Sequence, residues 1–425
     1  MRGRTLALSL LGTSALTLAA LPAAAETRVT FEPFVTGVNA PLAMKQPAGD
    51  DRLFVVEQDG RVRIVEDGQL RPEPFIDIRG RMVDLMSDFD ERGLLDIAFH
   101  PDFTDNGIFY LAYSRPLDPQ GDLGKQLWWS HTNVVSEFRV SADDPDRADL
   151  HYERVLSSID WPQFNHNGHW IDVGPDGMLY VSVGDGGYAN DWGIGHNVTL
   201  GNGQDMGTEL GKILRLDLDG NAPDDNPFAG SFDTLPEIYA SGLRNAWRCS
   251  FDMGGNHRLF CADVGQNSFE EVNIIEAGNN YGWRAMEGNH CFDYTAPNDH
   301  PASCDTAGFT MPIMEYENCS ARQNCMGISV TGGYVYRGEH EAWDGKYIFG
   351  DWSKSFATMD GQLFIGTEAE DGTWSMELAT VTNMDTVPYL LAFAQDAQGE
   401  VYALTSVTTG PNGRMDTIYR IVPAE

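Results

Sequence analysis

Six times along this 425-residue chain a tight turn leads into a strand of aromatic and branched residues. The copies are Asp51–Val56, Asn106–Leu111, Asp176–Val181, Asn256–Cys261, Asp344–Phe349 and Gln398–Ala403. A second apolar run follows each one: Val62–Val65, Ser136–Val140, Ile213–Leu216, Val272–Ile275, Leu363–Ile365 and Ile418–Ile421. Turn-punctuated strands recurring at this interval indicate antiparallel sheets repeated radially around an axis. The expected fold is all-β: a six-bladed β-propeller of four-stranded antiparallel blades with long inter-blade loops. Closing such a ring leaves no exposed edge if the first strand, Arg28–Val35, and the last, Ile418–Val422, share a blade. In a propeller, loops from distant blades meet at the central mouth, so residues far apart in sequence can build one site.

Residues 1–25 have the form of a secretory signal peptide. Arg2 and Arg4 give the charged start, Leu6–Leu21 the apolar stretch and Ala23-Ala24-Ala25 a small-residue cleavage site. The competing reading, an uncleaved anchor, meets a short stretch broken by Gly12, Thr13 and Ser14. Residues 26–425 are then expected as one propeller domain, periplasmic or secreted, with no membrane span after cleavage.

The six cysteines suit an exported chain. They lie as near neighbours (Cys249 and Cys261, Cys291 and Cys304, Cys319 and Cys325), and local pairing is the simplest of fifteen connectivities. Without Arg2 and Arg4, 26 basic residues face 63 acidic ones, a net charge of −37. That balance argues against a nucleic-acid partner. Long Gly-, Asn- and Asp-rich insertions at 115–135, 186–210, 219–236 and 285–330 exceed simple turns, as functional or mobile loops do.

Three stretches carry chemistry. Asn165-His166-Asn167-Gly168-His169-Trp170 sets a histidine on a loop entering a blade, where a neutral imidazole can take a proton from an alcohol and Asn165 can orient it. The plainer alternative is a loop histidine with structural hydrogen bonds only. Gly242-Leu243-Arg244-Asn245 offers a forked, permanently charged donor beside an amide, suited to a developing oxyanion; an ordinary ion pair is the alternative. Asp263-Val264-Gly265-Gln266, with Glu270-Glu271 and Asn280-Tyr281-Gly282, offers carbonyl and carboxylate oxygens of the kind calcium binds, though not at EF-hand spacing. Asp217, Asp219, Asp224 and Asp225 read as a turn.

Taken in order, Glu91-Arg92-Gly93, His100-Pro101, the His166 loop, Gly211-Lys212-Ile213, Arg244-Asn245, Asp263-Val264-Gly265, Asn280-Tyr281-Gly282-Trp283 and Gly332-Gly333-Tyr334 resemble the glucose/sorbosone dehydrogenase family. That family includes soluble aldose sugar dehydrogenases dependent on pyrroloquinoline quinone (PQQ). The resemblance runs from about residue 30 to the C-terminus and also implies a six-bladed propeller. It implies hydride transfer from a sugar's anomeric carbon to the quinone, with His166 as base and Arg244 and Asn245 on the quinone oxygens. Glu91 and Lys354 join the implied cofactor contacts. Gly265 and Gln266 match carbonyls that hold the cofactor's Ca2+, and Glu271 with Tyr281 a second calcium site. The expected partners are a small-molecule sugar and a soluble electron acceptor such as a cytochrome.

The chain departs from the family pattern in places. Val387–Ala392 contains no Arg or Lys where basic residues hold the cofactor's carboxylates. The other anchor position falls near Ser353, leaving Lys354 or Arg337 to substitute. Val264 replaces a glutamine, Glu91 stands where a glutamine would, and His169 replaces a small residue. Two other readings follow. One is a non-catalytic binding propeller of the hedgehog-interacting type. The other, by fold analogy alone, is a calcium-dependent lactonase.

Overall fold

A computed structural model of the chain describes residues 27–117, 129–411 and 416–424. The expected signal peptide and much of the 115–135 insertion lie outside the described residues.

Each repeated phrase forms the hairpin its pattern implies. The paired strands are Leu53–Glu57 with Arg61–Glu66, Ile108–Arg115 with His131–Arg139, and Leu179–Val183 with Lys212–Leu216. They continue with Leu259–Asp263 and Phe269–Ile275, Tyr347–Asp351 and Gln362–Glu368, and Val401–Ser406 and Asp416–Pro423. Their continuous rather than alternating apolar character has a physical cause. Leu53–Glu57, Leu179–Val183, Leu259–Asp263 and Tyr347–Asp351 are buried at every position, because neighbouring sheets cover both faces. Outer strands such as Arg154–Trp161 and Trp374–Val381 mix exposed and buried positions.

An inner strand precedes each hairpin and pairs with it: Pro41–Lys45, Leu94–Phe99, Gly168–Val173, Ala246–Phe251, Val330–Val335 and Tyr389–Gln395. These strands pack against one another in that order, and the last packs against the first. The sheets comprise three of four strands, one of five, one of eight and a two-stranded pair, Met286–Glu287 with His290–Cys291. The architecture is all-β and propeller-like, with only one short α-helix, Phe103–Asn106, among the described residues.

The chain ends meet as expected. Arg28–Val38 pairs antiparallel with Asp416–Pro423. It also pairs parallel with Trp374–Val381, through Arg28 opposite Thr380 and Val29 opposite Val381, which produces the eight-stranded sheet. Phe31 in this strand is fully buried and packs on Tyr419. The insertion 285–330 is more than a loop. It contributes Met314–Glu317 as the outermost strand beside Phe269–Ile275, with Met314 and Tyr316 turned into the core.

All six cysteines pair locally, as Cys249–Cys261, Cys291–Cys304 and Cys319–Cys325. Cys249 and Cys261 stand directly opposite each other on adjacent strands.

Candidate active site

The six inner strands run in one sense through the molecule, so their starts gather at one mouth and their ends at the other. A cavity of about 230 Å³ lies at the starts, touching Leu42, Glu91, His166, Asn245, Thr331 and Leu390 among others. At the ends lies a separate hollow that includes Lys45, Phe99, Asp172, Phe251, Tyr334 and Gln395. Between them Arg248, fully desolvated, donates to the carbonyls of Leu42, Leu95 and Trp247 and ties three inner strands together. Burial lowers its pKa to about 10, against a partial rise from Asp96. Most of the residues expected from the sequence to carry chemistry sit at the first mouth.

His166 turns the chain into the strand Gly168–Val173 with a left-handed φ of 57°. The close approach needs a glycine opposite: a side chain at Gly184 would put its Cβ 1.8 Å from the His166 carbonyl. The His166 backbone N–H donates to Glu91 Oε2 at 2.6 Å. Its ring Nδ1 lies 2.7 Å from Asp185 Oδ1, while the Trp283 indole N–H donates to Asp185 Oδ2 at 2.9 Å. Asp185 is fully buried, and burial pushes its pKa up. The His166 ring, through charge and hydrogen bond, together with His196 and Arg244, outweighs that and holds it below the ordinary carboxylate range. An ionised Asp185 fixes the His166 proton on Nδ1 and leaves Nε2 as the free base.

The Arg244–Asn245 pair is set by Asp263, whose carboxylate accepts both backbone N–H groups. Arg244 donates to the Val264 carbonyl at 2.8 Å, reaches Gln266 Oε1 at 3.4 Å, and lies over the Trp283 ring at 5.6 Å. Asn245 Oδ1 accepts the Gly168 N–H at 3.1 Å, which ties the arginine loop to the histidine loop.

Of the residues read from sequence, His166, Arg244, Asn245, Glu91, Gly265 and Gln266 line the one cavity. Glu271 and Tyr281 instead line a void of about 10 Å³ that shares Arg244, Val264 and Gly265 with it. Two assignments need correction. Asn165 does not orient the His166 ring. Its side-chain oxygen accepts the Tyr188 N–H and its carbonyl the Trp161 indole N–H, and the orienting group is Asp185. Lys354 is not among the cavity-lining residues, and Arg337 is committed to Asp252 and Asp344. Sequence reasoning missed Asp185, although Gly184-Asp185-Gly186-Gly187 at the end of a strand was a usable signal.

The donor set can be compared with the implied groups. Gly265 and Gln266 line the cavity, and their carbonyls accept no hydrogen bond among the described residues, which fits an oxygen-seeking cation. Glu271 differs. Both its oxygens are occupied, by Asn273 and by the Gly288 N–H, and burial with the Asp263 charge pushes its pKa well up. Among the described residues no cluster of three or more His, Cys, Asp or Glu side chains is arranged for a metal. PQQ carries three carboxylates, and among the described residues the cavity offers one Lys or Arg, Arg244, alongside Asp90 and Glu91. Among the described residues, the reactive end of a quinone is met by His166, Arg244 and Asn245, whereas the tricarboxylate meets no matching set of cations, and PQQ in its trianionic form does not fit them.

A family model described as glucose/sorbosone dehydrogenase matches residues 38–411. The HIPL2 protein of Arabidopsis thaliana is 30% identical over 88% of this chain and 60% of its own length. The Hedgehog-interacting protein of Homo sapiens is 27% identical over 91% of this chain and 52% of its own. Quinoprotein glucose dehydrogenase B of Acinetobacter calcoaceticus is 32% identical over 48% of this chain and 42% of its own. The chain therefore spans between 42% and 60% of the length of these relatives. The solved PQQ-bound aldose sugar dehydrogenase of Streptomyces coelicolor shares the fold, with a TM-score of 0.66 at 22% identity over 93% of this chain and 98% of that one.

Proposed function

The chain belongs to the glucose/sorbosone dehydrogenase family, and from that premise we propose that it is an exported oxidoreductase acting on aldose sugars or related polyols. The reading has the anomeric C–H leave as hydride while the hydroxyl on the same carbon gives its proton to His166 Nε2. An aldose then becomes its lactone. A quinone supplies the two-electron sink when bound. The observation that carries this reading is the His166–Asp185 pair opening into the same cavity as Arg244 and Asn245.

The chain's own residues divide the work. Asp185 keeps the imidazole in the tautomer that presents Nε2, and it stabilises the imidazolium once the proton arrives. Arg244 lies beside the same space and favours the negative charge that develops on an acceptor oxygen. The Gly265 and Gln266 carbonyls would hold Ca2+, which polarises such an oxygen.

The eight-stranded sheet reads as two blades joined at their edges by the parallel pair Arg28–Val38 and Trp374–Val381, giving six blades and one domain over 26–425. Three disulfides support an oxidising compartment, consistent with a signal peptide at 1–25 and a periplasmic or secreted protein. A second reading, a non-catalytic binding propeller, is favoured by Arg244 being the one Lys or Arg that lines the cavity among the described residues, and by the similarity to the Hedgehog-interacting protein.

Dye reduction with a panel of aldoses and polyols, in the presence of calcium and added quinones, separates the two. Turnover that falls at least a hundredfold in His166→Gln supports the oxidoreductase. A folded protein that takes up no quinone supports the binding module.

A further inference from the structure

The quinone half of the cavity is built and the carboxylate half is not. The walls away from His166 are Phe89, Trp352, Phe356, Leu390 and Leu391. Trp352 stacks on Tyr389 at 4.5 Å and meets Phe356 at 4.9 Å, and Phe89 lies 5.6 Å from Phe356. Several polar groups on these walls are already used. The Thr331 hydroxyl donates to the Leu390 carbonyl, the Trp247 indole N–H to the Leu391 carbonyl, and the Gln58 amide to the carbonyls of Asp90 and Arg92.

Among the described residues, two nearby guanidinium groups already have partners. Arg92 forms a forked pair with Asp90 in a largely buried site. Arg244 donates to the Val264 carbonyl and is the guanidinium beside the quinone oxygens, so it is not left over for a carboxylate. Asp90 and Glu91 also line the mouth, so carboxylates already stand beside its guanidinium. A carboxylate placed against such walls loses hydration without gaining a counter-charge, whereas a flat aromatic gains stacking surface.

We infer that this cavity takes a planar aromatic quinone that is uncharged or carries at most one negative charge, and discriminates against a tricarboxylate. The inference rests on the oxidoreductase reading for its choice of a quinone, but binding alone tests it. The probes are PQQ and its trimethyl ester, which share the ring system and differ by three charges. Both are titrated calorimetrically into the full protein with calcium present.

The ester is expected to bind at least tenfold more tightly than PQQ. Leu391→Arg, which adds a guanidinium to the apolar wall, is expected to raise PQQ affinity at least tenfold and leave the ester within about twofold. Phe356→Lys, at a position 61% exposed, gives the same comparison without touching the core. PQQ binding as tightly as the ester to the unaltered protein overturns the inference and leaves the oxidoreductase reading standing. Ester binding without turnover overturns that reading and leaves the inference standing. Neither probe binding to the folded protein overturns both.

Discussion

His166 Nδ1 and Asp185 Oδ1 are 2.7 Å apart in a site closed to water on the aspartate side, at the ends of two strands of one sheet. The contact sets the imidazole's tautomer, so Asp185 acts through His166 as a positioning residue. Asp185→Asn preserves the shape and removes the charge. In dye-linked assays, kcat is expected to fall about a hundredfold with KM nearly unchanged. The folded-state pKa of Asp185 is depressed. Its stabilising effect is therefore present above the unfolded value of about 3.9 and disappears as pH falls through the lower folded value.

Lys212 is fully buried, and its ammonium donates to the carbonyls of Asn202, Gly203 and Leu210, fixing the loop that leads away from Asp185. Burial lowers its pKa to about 7, despite the acids around it. Between about pH 7 and 10 the unfolded chain holds a proton that the folded one has lost, so stability rises with pH there. Denaturant titrations should show the unaltered protein gaining up to about 1.4 kcal/mol per pH unit more than Lys212→Met. At neutral pH that variant should be about 3 kcal/mol less stable, because three carbonyls lose their donor. Equal slopes for the two proteins would mean the folded lysine keeps its charge.

The Cys249–Cys261 bridge closes a span of 12 residues between paired positions on two strands. Replacing both with Ala should cost about 2–3 kcal/mol in chemical denaturation without altering the far-UV spectrum, since the main loss is restriction of the unfolded chain.

The repeat phrase revealed the six hairpins, because strands covered on both faces must be continuously apolar and their turns need Gly, Asn or Asp. The cysteine pairing and the meeting of Arg28–Val38 with Asp416–Pro423 were legible for similar reasons: short spacing in one case, avoidance of a free edge in the other. Loop side-chain direction was not legible. Nothing local in Asn165-His166 says that the amide turns to the Tyr188 N–H while the imidazole turns inward. Asp185 was hidden because a Gly-Asp-Gly-Gly run looks like an ordinary turn. Lys354 was assigned by its nearness to Ser353, but neither residue lines the cavity, and the Ser353 hydroxyl turns to the Thr358 carbonyl within its own loop.

Ring closure depends on one strand shared between the two ends of the chain. Phe31→Ala, which empties a fully buried aromatic site beside Tyr419, should cost about 3–5 kcal/mol in urea unfolding while quinone binding at the distant mouth changes little.

The most direct measurement is anaerobic stopped-flow reduction of bound quinone by an aldose, comparing the unaltered protein with His166→Gln after loading each with a quinone shown to bind by calorimetry. The expected result is equal quinone affinity in the two proteins and reduction at least a hundredfold slower in the variant. Equal reduction rates would contradict the assignment of His166 as the proton acceptor.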